Sequence, residues 1–196
     1  LEGKEIKWKN IRIMTENLEA NRMQGTLVPE VNRVPNTLSE KEKADGWKLL
    51  FDGKTTNGWR GAHKEAFPES GWKVENGQLI VLKSDGGEST NGGDIVSDGE
   101  YAAFELSVEF KITEGANSGI KYFVTEAEKQ KGSAFGLEYQ ILDDKVHPDA
   151  KLYTTVPGSR TLASLYDVIP AKNKRFNGVG QWNQAVVKVF PNNHVE

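Results

Sequence analysis

Cysteine is absent from this chain of 196 residues, and histidine occurs only three times, at His63, His147 and His194. Without thiols the protein can form neither a disulfide bond nor a thiolate metal site, and redox chemistry gives no indication of its compartment. No two of the histidines have the spacing of a zinc-binding pair such as HExxH. The sequence therefore predicts no metal centre, and we expect no cofactor.

Long apolar runs and an excess of positive charge are also missing. The net charge is −3 and 37% of the residues are hydrophobic. No apolar run approaches the roughly 20 residues of a membrane-spanning helix, and no signal-peptide pattern opens the sequence, which begins at Leu1. Because no basic cluster is present, we expect no nucleic-acid partner. The length suits one globular domain with a sizeable core.

Helical periodicity is confined to one short segment. Ser39 and Glu42 have the spacing of a capping box, which predicts a short helix ending at Gly46. From Trp47 onward, short alternating segments are separated by Gly and Asp turns, and the pair Asn76-Gly77 favours a type I′ hairpin. The pattern predicts an all-β fold with two packed antiparallel sheets.

The clearest alternation lies between Tyr101 and Ile112. Its apolar positions are Phe104, Leu106, Val108, Phe110 and Ile112, and its polar positions are Glu105, Ser107, Glu109 and Lys111. At about 25 cal/mol per Å² of buried apolar surface, five inward side chains contribute several kcal/mol before conformational entropy is subtracted. We predict that this strand is central.

The first segment, KEIKWKNIRIM, also has the composition of a strand, but its phase slips. Ile6 and Trp8 share one parity, whereas Ile11 and Ile13 share the other. A bulge near Lys9 and Asn10, or burial of both faces, would explain the slip. The next segment, TENLEANRMQGTLVPEVNRVPNT, has little periodicity and two prolines, which is typical of a connector.

Polar side chains occupy alternate positions of GLEYQILDD. Three strands paired in sequence order would share one polar face carrying Glu105, Glu109, Lys121, Glu138 and Gln140. That face either meets water or lines a binding site. Asn117, Arg160, Tyr166 and the tryptophans are residues of the types that bind sugars. Each also has a structural interpretation, as a turn residue, a partner in an ion pair or part of the core.

An acidic group follows the same strand. Asp143, Asp144, His147 and Asp149 resemble a cluster of calcium ligands, but they lack the EF-hand spacing and its glycine. We interpret this segment as a solvated loop. No phosphate-binding loop and no GxSxG nucleophile elbow is present in the sequence.

Several motifs in a fixed order resemble one family. They are LSEKEKADGWKLLFDGKTTNGWRG, GWKVENGQLIV, GGDIVSDGEYAAFELSVEFKITEGANSGIKYF, GLEYQILDD, RTLASLYDVIP and QWN. Together they resemble the 3-keto-disaccharide hydrolase domain, a former domain of unknown function that is common in Bacteroidetes. The resemblance covers about residues 38–196 and implies a concanavalin A-like jelly-roll β-sandwich with a short N-terminal helix.

The resemblance also implies a function and a set of site residues. It implies a periplasmic or cell-surface glycosidase that acts on 3-keto-disaccharides or 3-keto-glycosides; the alternatives are a non-catalytic carbohydrate-binding module and a structural repeat. The matching motifs contribute Asn117, Ser118, Glu138, Gln140, Asp143, Tyr166 and Asp167. We expect Glu138 and Asp143 to be catalytic and Asn117, Gln140 and Tyr166 to bind substrate, together with Lys121 and Arg160, which lie outside these motif positions. Many relatives have an arginine after NSG where this chain has Tyr122-Phe123-Val124, so Lys121 or Arg160 would supply the positive charge.

The ends of the chain depart from the family pattern. Relatives finish with a strand resembling EVWFRNIKI, which is missing after Glu196, whereas EGKEIKWKNIRI at the start resembles it. We divide the chain into a strand at 1–14, a linker at 15–37 and a C-terminally incomplete domain at 38–196. The first strand is either the tail of a preceding tandem copy or a segment that fills the last-strand position of this or a neighbouring molecule. In either case we expect it to pair with a sheet.

Overall fold

The computed structural model describes residues 4–16, 18, 32–84, 90–127, 133–152 and 156–196, and the regular secondary structure of these residues is almost entirely β. The strands are β1 Ile6–Met14, β2 Trp47–Leu49, β3 Trp59–Gly61, β4 Trp72–Glu75, β5 Gln78–Val81, β6 Ile95–Ser97, β7 Phe104–Ile112, β8 Asn117–Thr125, β9 Phe135–Leu142 and β10 Asn183–Val189. The described helices are α1 Glu40–Ala44 and the 3₁₀ helix Pro148–Lys151, neither of them long enough to cross a membrane. The predicted all-β class is confirmed.

The largest sheet has six antiparallel strands. Its order is β10-β7-β1-β5-β4, and β2 pairs with the far end of β1. The strand with the clearest alternation, β7, is an interior strand, with β10 on one side and β1 on the other. The inward side chains Val108, Phe110 and Ile112 are at most 3% exposed, which agrees with the predicted apolar face.

The first strand is part of this sheet. Residues of β1 pair with β7 on one edge and with β5 and β2 on the other, so the expected pairing is confirmed and occurs within the same chain. The ladder shifts register between Lys9 and Arg12, and Asn10 has a φ of +50°. Of the two explanations that the sequence allowed, the structure shows the bulge, and both Trp8 and Ile11 are buried in the core.

The two predicted turn and cap motifs are present. Asn76 and Gly77 have φ values of +51° and +71° and join β4 to β5 as a two-residue hairpin loop, with Glu75 opposite Gln78. Ser39 caps α1 by accepting a hydrogen bond from the backbone of Glu42, whose side chain accepts one from the backbone of Ser39. Local sequence therefore determines both features.

Two smaller sheets lie opposite the large one. One consists of β3 and β6, and the other of β8 and β9. Residues 163–166 extend the second of these as a further row, because the backbone N–H of Tyr166 donates to the carbonyl of Glu138 at 2.9 Å and that of Gln140 donates to the carbonyl of Ser164 at 3.0 Å. Ile141 and Ile120 of this layer pack with side chains of the large sheet in one hydrophobic cluster. The architecture is a β-sandwich.

The prediction that three consecutive strands share a polar face is wrong for β7. Its hydrogen-bonded neighbours are β1 and β10, not β8. Glu105 forms an ion pair with Lys188 of β10 at 2.9 Å, and Glu109 forms one with Lys9 of β1 at 3.1 Å. The polar face of β7 therefore belongs to the large sheet, and only β8 and β9 bring the expected polar residues together.

Candidate functional site

A cavity of about 1250 Å³ is lined by residues of both layers. Ligand pockets in proteins usually measure roughly 300–1,000 Å³, so a disaccharide-sized molecule has ample room. Six of the polar residues that line the cavity are Asn117, Lys121, Glu138, Gln140, Asp149 and Tyr166. Five of these six were predicted from the sequence to act in a site, and the structure places them around one space.

The register of β8 and β9 explains why these side chains share a face. Lys121 is paired with Glu138, and Gly119 is paired with Gln140. Paired residues of a ladder project to the same side of the sheet. The intervening Tyr139 contacts the hydrophobic clusters, so its polar neighbours project away from the core.

Gln140 is the most unusual of these residues. Its side chain is only 1% exposed, and among the described residues its Oε1 atom has no hydrogen-bond partner. Leaving a buried acceptor unpaired costs about 1–3 kcal/mol, so such an atom calls for a polar partner that the protein itself does not provide. Because Gln140 lines the cavity, we interpret the unpaired oxygen as a mark of a ligand or water site.

Lys121 is anchored rather than free. Its ammonium group donates to Asp94 Oδ2 at 2.7 Å, to Ser133 Oγ at 3.1 Å and to the carbonyl of Ala134 at 3.1 Å. A lysine has three N–H donors, and these contacts use all of them. Lys121 therefore fixes the loop that carries Asp94 against the start of β9, and the positive charge lies at the side of the cavity.

Tyr166 and Asp149 form a connected group at the edge of the same face. The Tyr166 hydroxyl donates to Asp149 Oδ2 at 3.0 Å, while Arg160 donates to Asp149 Oδ1 at 3.0 Å. Arg160 also donates through Nε and Nη2 to both carboxylate oxygens of Asp167. Burial and the hydrogen bond to Asp149 raise the pKa of Tyr166 far above its usual value, so its hydroxyl stays protonated at neutral pH.

Arg160 was expected to bind substrate, but it does not line the cavity. Its donors hold Asp149 and Asp167, and these two hydrogen-bonded carboxylates raise the pKa of the guanidinium above its usual value. Its Cζ atom lies 5.1 Å from the centre of the Tyr166 ring. Arg160 thus contacts Asp149 and Tyr166, which both line the cavity, and Asp167, which does not.

Asp143, the second expected catalytic carboxylate, lies elsewhere. It is 3% exposed, its Oδ2 accepts from the backbone of Gly115 at 2.9 Å, and its Oδ1 accepts from that of Lys145 at 3.1 Å. It is not among the residues that line the cavity. These contacts give Asp143 a role in holding the connections before β8 and after β9, and its catalytic role stays a prediction.

The segment that follows is only in part the solvated loop that we expected, because Lys145, Val146 and Pro148 are exposed whereas His147 is buried. His147 is 3% exposed and caps the 3₁₀ helix, with its Nδ1 accepting a hydrogen bond from the backbone of Asp149. Burial lowers the pKa of His147. This cap lies at the start of the 3₁₀ helix that carries Asp149, which lines the cavity. Within the described ranges, no three His, Asp or Glu side chains are grouped in a way that could hold a metal ion.

One ion pair joins the two small sheets at the cavity. Arg60 of β3 donates through Nη1 and Nη2 to both oxygens of Glu126 at 3.0 and 2.6 Å, and the backbone of His63 donates to the same carboxylate. Both charged residues line the cavity. The hydrogen bond to Arg60, followed by that to His63, lowers the pKa of Glu126 from 4.5 to about 2.

This lowered pKa predicts a pH dependence of stability. A carboxylate whose pKa is lower in the folded state stabilises the fold above its unfolded pKa, and the contribution is lost as the pH falls through the folded value. We expect wild type to exceed Glu126→Gln in free energy of unfolding at pH 6 and the difference to shrink between pH 4.5 and about 2. Urea unfolding of both proteins across this pH range measures the difference in free energy of unfolding. A difference that does not change with pH would show that the ionised Arg60–Glu126 pair does not stabilise the fold.

The sequence reasoning missed three contributors to the site, namely Asp149, the Arg60–Glu126 pair and Gly119. Asp149 was assigned to a solvated loop, and no local pattern joins Arg60 to a residue 66 positions away. Gly119 did carry a signal, because a glycine inside a strand often marks a close approach by another group.

Comparison with known proteins agrees with this geometry. The model of the 3-keto-alpha-glucoside-1,2-lyase-like domain family matches residues 46–195. A 3-keto-disaccharide hydrolase of Bacteroides thetaiotaomicron is 41% identical over 158 residues, which are 75% of this chain and 53% of that protein. The chain thus spans about half the length of this relative. A crystal structure of a protein assigned as a glycosyl hydrolase from Parabacteroides distasonis matches with a TM-score of 0.63 and 30% identity, over 79% of this chain and 69% of the other.

Proposed function

The chain belongs to the 3-keto-alpha-glucoside-1,2-lyase-like domain family, and from this premise we propose that it cleaves the glycosidic bond of 3-keto-disaccharides or 3-keto-glycosides. The observation that carries the proposal is that Glu138 and Gln140 line one cavity of about 1250 Å³ and that the buried Oε1 atom of Gln140 has no hydrogen-bond partner among the described residues. A carboxylate near an amide oxygen without a partner is suited to a ligand with many hydroxyl groups.

The chemistry of such a substrate explains why one well-placed base is enough to start cleavage of the glycosidic bond. A ketone at C3 acidifies the hydrogen at C2, and the glycosidic oxygen on C1 is then β to the carbanion. A base removes the C2 proton, and the C–H electron pair forms the C2–C3 enolate. Collapse of the enolate restores the ketone, forms a C1–C2 double bond and breaks the C1–O bond. The leaving oxygen takes up a proton, and water then adds across C1–C2.

This sequence reconciles the two names carried by the relatives. Elimination across C1 and C2 is the reaction of a 1,2-lyase, and elimination followed by addition of water gives the net reaction of a hydrolase. Both descriptions fit one active site that contains a base, hydrogen-bond donors for the enolate and a donor for the leaving oxygen.

We assign the base at C2 to Glu138. It lies in the middle of the polar face, paired with Lys121 on one side and hydrogen-bonded through its backbone carbonyl to Tyr166 on the other. It lines the cavity and is partly exposed, so its carboxylate can reach a bound sugar. The side chains of Gln140 and Asn117 lie along the same face and would hydrogen-bond the enolate and neighbouring hydroxyls.

The donor for the leaving oxygen is assigned to the pair of Tyr166 and Asp149. The raised pKa of Tyr166 keeps its hydroxyl protonated at neutral pH, and its single O–H, which donates to Asp149 in the structure, would turn to the leaving oxygen when substrate binds. Asp149 and, behind it, Arg160 fix the position of that hydroxyl. In this assignment Asp149 and Tyr166 have the second catalytic role, which we expected from the sequence for Asp143.

Turnover of matched substrates tests the proposal. We expect the protein to release free sugar from 3-keto-trehalose or 3-keto-lactose and to leave trehalose and lactose intact, because only the keto forms have an acidic C2 hydrogen. Exchange of that hydrogen for deuterium in D₂O, followed by NMR, reports the first step separately. Binding of the keto-sugars without exchange or cleavage would identify a carbohydrate-binding module instead. Cleavage of the unoxidised sugars at a similar rate would exclude elimination.

A further inference from the structure

Gly119 lies on β8 directly opposite Gln140 and two residues before Lys121, the partner of Glu138. A Cβ atom built at this position would lie 1.8 Å from Glu138 Oε1 and 2.5 Å from both Cγ and Cδ of that side chain. No pair of unbonded heavy atoms tolerates these distances. The side chain of Glu138 therefore lies across the strand, over the one position of β8 that has no side chain.

Glycine is required here by space and not by backbone conformation. The φ of Gly119 lies outside the left-handed region, so an L-residue could adopt the same backbone. All three atoms nearest to the added Cβ belong to a single flexible side chain. At Gly136 of β9, in contrast, a Cβ would come within 2.9 Å of the backbone carbonyl of Tyr122. A methyl group at 119 would thus displace the carboxylate and leave the strands in place.

We infer that Gly119 is a positioning residue that holds the Glu138 carboxylate in its reactive place, an inference that rests on the function proposed above. Without a side chain at 119, the carboxylate of Glu138 lies over Gly119, the residue of β8 that is paired with Gln140. With alanine at 119, Glu138 must adopt another rotamer. A displacement of about 1 Å in a reacting group can reduce a rate about 100-fold.

The test compares Gly119→Ala with wild type in turnover of 3-keto-trehalose and in thermal unfolding. We expect kcat to fall about 100-fold, KM to change by less than about threefold, and the unfolding midpoint to move by no more than about 4 °C. Gly61→Ala is the matched control. It also adds a methyl to a strand glycine outside the left-handed region and also meets a flexible side chain, Lys64 Cδ at 2.9 Å, but Gly61 does not line the cavity. Its activity should equal that of wild type.

A double-mutant cycle shows whether the effect passes through Glu138. In a Glu138→Ala background, Gly119→Ala should cause no further loss of activity, because the group that it displaces is gone. The inference would be overturned if Gly119→Ala lowered activity as much in the Glu138→Ala background as in wild type. It would also be overturned if Gly119→Ala had wild-type activity while Glu138→Ala was inactive.

Crystal structures of wild type and Gly119→Ala show, independently of activity, whether a methyl group at position 119 displaces the Glu138 carboxylate. We expect the carboxylate of Glu138 to move by about 1 Å or more while the β8–β9 ladder stays in register. An unmoved carboxylate would refute the positioning role even in a protein that cleaves keto-sugars. If wild type fails to cleave them, the proposed function fails, and the displacement still shows whether Gly119 sets the position of Glu138.

Discussion

Replacement of Glu138 by glutamine is expected to lower kcat on 3-keto-trehalose by 10²- to 10⁴-fold, the range that a general base usually contributes. Glutamine keeps the shape of the side chain and one of its two acceptor oxygens, but it cannot accept the C2 proton. Substrate binding should therefore be retained. Initial rates of sugar release and the rate of C2 deuterium exchange should fall together, because both depend on removal of that proton.

Glu105→Gln is the matched control for this variant. Glu105 is also a strand glutamate, but it belongs to β7 and pairs with Lys188 in the large sheet. It is not among the residues that line the cavity, so activity should be unchanged. A Glu138→Gln protein that keeps more than a tenth of wild-type kcat, or an equal loss in both variants, would contradict the assignment of the base.

Removal of residues 1–14 is expected to prevent folding. β1 lies between β7 and β5 and contributes five buried side chains, Ile6, Trp8, Ile11, Ile13 and Met14. At about 1.5–3 kcal/mol for each buried side chain, these residues supply roughly 10 kcal/mol. That value is as large as the entire stability of a typical domain, about 5–15 kcal/mol. Far-UV circular dichroism of the shortened chain should show no cooperative thermal transition.

A synthetic peptide of residues 1–14 provides the control for this truncation. Added in trans, it should restore the transition, because the gap between β7 and β5 has unpaired backbone groups on both sides. A peptide of the same composition in scrambled order should not do so. A shortened chain that unfolds cooperatively at the wild-type midpoint would show that β1 is dispensable for the sheet.

Local features of this fold could be predicted because short stretches of sequence determine them. Asn76 and Gly77 both adopt positive φ, which only a few residue types do readily, and this fixes the hairpin. The Ser39–Glu42 cap needs only two side chains three residues apart. The bulge in β1 could be predicted because the apolar residues change parity at Asn10. The hairpin and the cap depend on contacts close in sequence, whereas the bulge only leaves a local mark, because its ladder partner β7 is distant in the chain.

The neighbours of β7 could not be predicted in this way. Alternation indicates which face of a strand is buried, but not which strand lies beside it, and here the partner β1 comes from almost 100 residues earlier in the chain. The same limit applies to the site. Glu138 and Gln140 could be predicted because both lie on one strand, whereas the pairing of Asp149 with Tyr166 depends on how the 3₁₀ helix packs.

Binding of substrate to an inactive variant tests the central claim most directly, namely that the face bearing Glu138 and Gln140 is the sugar site. Isotopically labelled Glu138→Gln protein would be titrated with 3-keto-trehalose and followed by NMR. We predict shifts in the side-chain amide of Gln140 and in the backbone amides of Gly119 and Tyr166, with little change at Ser107 on the large sheet. Saturable shifts confined to other surfaces, with the Gln140 amide unmoved, would contradict the account.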